Sequence, residues 1–133
     1  MSPTSNDPSP TVVLLVEDHV DSRQMYAEFL RMQFDVVEAG DGIDALQLMK
    51  QQRPDIVVTD LALPMMDGFE LVQRMRADER LRDVPVIALS GFSGAEYELR
   101  ARAAGSTIVL QKPCLPDDLA RAVEFAASNR KDS

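Results

Sequence analysis

Histidine, cysteine and positive charge are in short supply in this 133-residue chain. Cys114 is its only cysteine, so an intramolecular disulfide is impossible, and one His beside one Cys supplies too few soft ligands for a zinc site. A chain without disulfides is expected in a reducing cytoplasm. Lys and Arg number 14 against 22 Asp and Glu, a formal net charge of −8, so direct nucleic-acid binding, which wants a basic face, is not expected. No apolar run approaches the ~20 residues of a bilayer span, and Met1 to Pro10 has neither the basic residue nor the apolar stretch of a signal peptide. No membrane association is expected either.

What is present is a globular core. Apolar residues make up 45% of the chain, and the length suits one domain. Residues 1–10, rich in Ser, Pro, Asn and Asp, read as a disordered lead-in; 11–128 read as the domain, and 129–133 as a C-terminal tail. Thr11 to Val16 is a continuous apolar run of strand length, halted by Glu17 and Asp18. Asp21 or Ser22 can cap a following helix to about Gln33, with Met25, Phe29 and Met32 on its inner face. Val36 and Val37 give a second strand. Asp41 caps a helix with Ala45, Leu46 and Met49 inward, ended before Pro54.

Ile56 to Thr59 is a β-branched run that stops at Asp60, and Asp67 or Gly68 opens a third helix with Leu71, Val72 and Met75 inward. Val84 to Ser90 is a fourth strand, Ala95 to Ala104 a helix ended by Gly105, and Thr107 to Leu110 a fifth strand running into Lys112 and Pro113. A last helix covers Pro116 to Ser128, with Leu119, Ala122, Val123 and Ala126 inward. Strictly alternating strands and helices, with strands apolar on both faces, predict a parallel sheet between two helix layers in the order 2-1-3-4-5.

The strands of such a sheet all end along one edge, where ligands bind. That edge collects Glu17, Asp18, Asp60, Ser90 and Lys112. Three carboxylates in one crevice repel one another and call for a cation. Oxygen donors suit a hard ion, with Mg²⁺ the first candidate.

These residues, with Leu63-Pro64-Met65-Met66-Asp67-Gly68, Ser90-Gly91 and Lys112-Pro113, resemble the receiver domain of two-component response regulators over Thr11 to Ser128. The resemblance implies a flavodoxin-like, doubly wound three-layer sandwich of five strands and five helices. It implies that Asp60 takes a phosphoryl group from the phosphohistidine of a sensor histidine kinase or a histidine phosphotransfer protein. Asp18 and Asp60 would bind Mg²⁺ directly, Glu17 through water, and Ala62 through its backbone carbonyl. Lys112 and Ser90 would each hold a phosphoryl oxygen, and Pro113 would be cis. The implied role is a phosphoacceptor signalling module rather than a turnover enzyme, acting on an unspecified protein target as a monomer or a phosphorylation-linked dimer.

The chain departs from the family pattern at Val109, three residues before the lysine, where an aromatic ring usually swings inward. Signalling is therefore expected to run through the Gly91 to Gly94 loop and its helix, with Phe92 or Tyr97 as the moving rings. His19 reads as an exposed loop or helix-start residue, Met65 and Met66 as packing around a turn, and Cys114 as a small buried hydrophobe. Two alternatives remain. One is a receiver-like module read by binding alone. The other is an Asp-nucleophile phosphatase, disfavoured because Ala62 stands where such enzymes place a second Asp.

Overall fold

The computed structural model describes residues 11–92 and 94–129. The expected lead-in, 1–10, and residues 130–133 lie outside the described residues. Five strands alternate with five helices: β1 (Val12–Val16), α1 (Val20–Leu30), β2 (Asp35–Ala39), α2 (Gly42–Gln51), β3 (Ile56–Asp60), α3 (Gly68–Ala77), β4 (Val86–Ser90), α4 (Ala95–Ala104), β5 (Ile108–Gln111) and α5 (Pro116–Asn129). All strand pairs are parallel, in the order β2-β1-β3-β4-β5. This is the expected doubly wound sheet.

Alternation along each strand builds the two cores. Val13 and Leu15 of β1, Ile56 and Val58 of β3, and Ile87 and Leu89 of β4 face α1 and α5. Leu14, Val16, Val57 and Val86 face α2 and α3, where Ala45, Met49, Leu71, Val72 and Met75 cover them. Beneath α4 the packing is slighter: Ala88, Ala101 and Ala104 meet Leu61 and Phe69, with Phe92, Tyr97 and Val109 at the margin. Small side chains bury little apolar area, so α4 is the most lightly held helix of that face.

Three caps set where the helices begin. Asp41 accepts from the Asp44 amide at 2.7 Å, and Asp67 from the Glu70 amide at 2.9 Å. At α1 the sequence expectation is corrected. The cap is His19, whose Nδ1 accepts from the Ser22 amide at 3.3 Å, and not Asp21 or Ser22. The inner face of α1 also differs: Tyr26, Ala27 and Leu30 are buried, whereas Met25 and Met32 are exposed and Phe29 is half-buried. Both sets share helical spacing, and Tyr26 wins because its hydroxyl donates to the Cys114 carbonyl at 2.8 Å, a partner on the far side of the chain. Met66 packs into the core as expected, but Met65 points outward at φ 68°.

Two glycines hold elements together at close range. A Cβ on Gly68 would press on the Asp60 carbonyl oxygen and lie 2.7 Å from the Leu61 Cα, so only glycine lets α3 start against the end of β3. Gly105 ends α4 at φ 119°, and a Cβ there would lie 2.6 Å from the Arg76 Cγ. Arg76 in turn donates to the carbonyls of Gly105, Leu81, Arg82 and Val84, sewing the α3–β4 connection to the end of α4.

Candidate functional site

The carboxyl ends of β1, β3, β4 and β5 bring the predicted residues together. Asp60 closes β3 and is only 5% exposed; its Oδ2 lies 2.7 Å from Lys112 Nζ, and its Oδ1 accepts from the Ala62 amide at 3.1 Å. Glu17, just past β1, is 1% exposed. Its Oε1 lies 3.1 Å from the same Nζ, and its Oε2 accepts from the His19 amide at 3.1 Å. Asp18 stands exposed beside them, and one oxygen from each of Glu17, Asp18 and Asp60 falls within 4.8 Å of the others.

Lys112 follows β5; its amide donates to the Ser90 carbonyl at 2.8 Å, and the Lys112–Pro113 peptide is cis. Ser90, buried at the end of β4, spends its hydroxyl on its own loop. Its Oγ accepts from the Phe92 amide at 3.1 Å and donates to the Phe92 carbonyl at 3.3 Å.

Residues 13–124 match the family described as the response regulator receiver domain. The transcriptional regulatory protein PdtaR of Mycobacterium tuberculosis is 36% identical over 125 residues, covering 92% of this chain. The chain spans 60% of that relative's length. The polar-differentiation response regulator DivK of Brucella anthropi is 30% identical over 105 residues, covering 78% of this chain and 85% of its own. Among solved structures, the receiver domain of the sensor histidine kinase PA1611 from Pseudomonas aeruginosa, described with a magnesium ion coordinated in its active-site cleft, superposes with a TM-score of 0.82 at 30% identity. That match covers 90% of this chain and 99% of the other. The chain belongs to the response regulator receiver family.

The receiver's crevice is electrostatically unbalanced, with three carboxylates facing one ammonium. Burial raises the Glu17 pKa above its usual value, and the neighbouring Asp60 charge adds to that, against the opposing pull of the His19 amide and Lys112. Burial pulls Lys112 down, but its hydrogen bonds and charge attraction to Asp60 and Glu17 overrule it and hold the ammonium above its usual range. Every donor in the cluster is oxygen, its charge is in excess, and among the described residues Asp18 has no protein partner for its carboxylate. That donor set fits a hard divalent cation.

Val109, where the resemblance leads to the expectation of a ring, is half-buried at the margin of the α4 core, as are Phe92 and Tyr97. Those two rings stack with centroids 4.5 Å apart and 17° between planes. Beside them a cavity of about 340 Å³ is bordered by Ser90, Phe92, Val109 and Gln111 and roofed by the start of α4. Gln111 Nε2 donates to the Phe92 carbonyl at 2.6 Å, a contact that sequence reasoning missed because nothing marks Gln111 as other than a strand-end polar residue. His19 is indeed an exposed helix-start residue, and Cys114 is buried with its thiol pKa raised, chiefly by that burial. No described helix is long and apolar enough to cross a membrane.

Proposed function

We propose that this receiver domain accepts a phosphoryl group on Asp60 from the phosphohistidine of a sensor histidine kinase or phosphotransfer protein, and that the acyl phosphate alters a protein-binding surface. The observation carrying the reading is a buried carboxylate at a strand end, ion-paired at 2.7 Å to Lys112 and grouped with Glu17 and Asp18. An Asp60 oxygen forms the new bond to phosphorus as the phosphorus–nitrogen bond breaks, and the histidine nitrogen keeps the electron pair. Attack by a carboxylate on phosphorus needs position and neutralised charge more than it needs a general base.

Asp18 and Asp60 would hold Mg²⁺ directly, with Glu17 acting through water and the Ala62 carbonyl completing the protein's share. The ion's contribution is to offset the negative charge shared by the carboxylates and the incoming phosphoryl group. Support comes from the all-oxygen cluster and from the magnesium described in the Pseudomonas receiver. Lys112 would move from Asp60 to a phosphoryl oxygen, where its fixed charge holds the product.

Ser90 would leave the Phe92 backbone to donate to a second phosphoryl oxygen. The Phe92 carbonyl keeps Gln111 as a donor when that happens, so the step leaves one amide, not two groups, to find new partners. The Phe92–Tyr97 pair then replaces the usual swinging ring, with the cavity beside Val109 giving it room. A swing from 1:99 to 99:1 needs about 5.5 kcal/mol. Two charge-assisted hydrogen bonds supply roughly 1.5–3 kcal/mol each, so the response is graded unless the cation or a partner adds to it.

Intact mass after incubation with a small phosphodonor tests the reading. A gain of one phosphoryl group that requires Mg²⁺ and disappears in Asp60→Asn is expected. A folded wild-type protein that gains nothing from the donor or from any histidine-phosphorylated partner would leave only a module read by binding.

A further inference from the structure

Arg23, on the first turns of α1, touches none of the site's side chains, yet it is built into the acidic end of β1. Its Nη1 donates to the Glu17 carbonyl at 2.9 Å, and its Nε meets the Glu38 carboxylate at 3.1 Å. Glu38 stands opposite Leu15 in the β1–β2 pairing and is also gripped from α1's other end, by Arg31 at 3.1 Å. The Arg23 side chain is only 20% exposed. From the other side, the Glu17 amide is bonded to the Ala39 carbonyl at 3.0 Å, so the residue is fixed at both its amide and its carbonyl.

The Glu17 carbonyl and the Asp18 amide share one rigid peptide plane. Asp18 is exposed, and among the described residues its carboxylate has no protein partner. The orientation of that plane sets where the Asp18 side chain leaves the backbone, and Arg23 bonds to one side of it. We infer that Arg23, braced by Glu38, is a positioning residue for the cation site, holding the Glu17–Asp18 peptide so that Asp18 and Asp60 can share one divalent ion. The inference rests on the reading of Asp18 as a cation ligand given above. A planar guanidinium suits the task because it reaches carbonyl and carboxylate together, which a lysine ammonium on a flexible stem does less well. Outer partners of this kind commonly change metal affinity by about 10–100-fold when removed.

The test is a Mg²⁺ titration followed by backbone amide shifts, with thermal midpoints measured in parallel, on wild type, Arg23→Ala, Arg23→Lys and Glu38→Gln. The expected result is Mg²⁺ binding weakened about tenfold in Arg23→Ala and about threefold in the other two, with the Asp18 amide displaced even without metal. The two milder variants carry the test if Arg23→Ala does not fold. Lower midpoints with unchanged Mg²⁺ affinity would make Arg23 a purely structural brace and overturn the inference. A wild-type protein with no saturable Mg²⁺ shifts removes the cation reading itself and the inference with it.

Discussion

Removing the charge of Lys112 isolates what that side chain does before any phosphoryl group arrives. In Lys112→Met the stem is kept and the ammonium is lost, leaving Glu17 and Asp60, 1% and 5% exposed, with no cation between them. Their oxygens lie within 4.8 Å, which at an effective dielectric near 20 is a repulsion of about 3.5 kcal/mol. Lys112 is 28% exposed, so water reaches the gap and screens part of that. A net loss of about 2.5 kcal/mol, or roughly 8 °C in thermal midpoint for a domain of this size, is expected in EDTA at pH 8. The loss has a direction in pH. Burial already holds the folded Glu17 above its usual pKa, and losing Lys112 removes an opposing pull, so the penalty at Glu17 is absent below the usual value and grows as pH rises through the folded one. Circular-dichroism melts at pH 5 and pH 8 should therefore show a smaller deficit at pH 5. Adding Asp60→Asn should return most of the lost stability. A variant as stable as wild type at pH 8, or equally damaged at both pH values, would refute the claim that Lys112 neutralises this pair.

Glu17→Gln should stabilise the metal-free protein at neutral pH. Burial raises the Glu17 pKa, so its favourable contribution is complete below the usual value and lost as pH rises through the raised one; the gap between variant and wild type should close in melts taken toward pH 4. The same variant should bind Mg²⁺ more weakly, which a titration would check. Gly68→Ala should cost about 3 kcal/mol in urea unfolding, because the obstructing atoms belong to the backbone of Asp60 and Leu61 and cannot step aside. A phosphate mimic at Asp60 should move the amide resonances of Phe92 and Tyr97 more than those of α2; an unmoved loop and helix would sink the ring-pair switch.

Most of the site was legible because a buried parallel strand must stop being apolar where it meets solvent, and Glu17, Asp60, Ser90 and Lys112 mark those stops. Asp41, Asp67 and Gly105 were equally legible, since caps act within one turn of chain. What could not be read depends on partners distant in sequence. The rotation of α1 was misjudged because Met25, Phe29 and Met32 are as apolar as the face that is buried, and the deciding bond joins Tyr26 to Cys114. Arg23 was invisible for a similar reason: its partner Glu38 becomes a neighbour only through the parallel pairing of β1 with β2.

The two ends of α4 are unequally anchored. Arg76 clasps the Gly105 end, whereas the Gly94 end rests beside an open cavity and begins without a side-chain cap. Such a helix is a lever with its fulcrum at the far end from the acidic crevice. Ten residues make an arm of about 15 Å, so a tilt of only 10° would carry its free end about 2.6 Å. A change confined to one serine hydroxyl and two rings can in this way become a displacement large enough for another protein to feel.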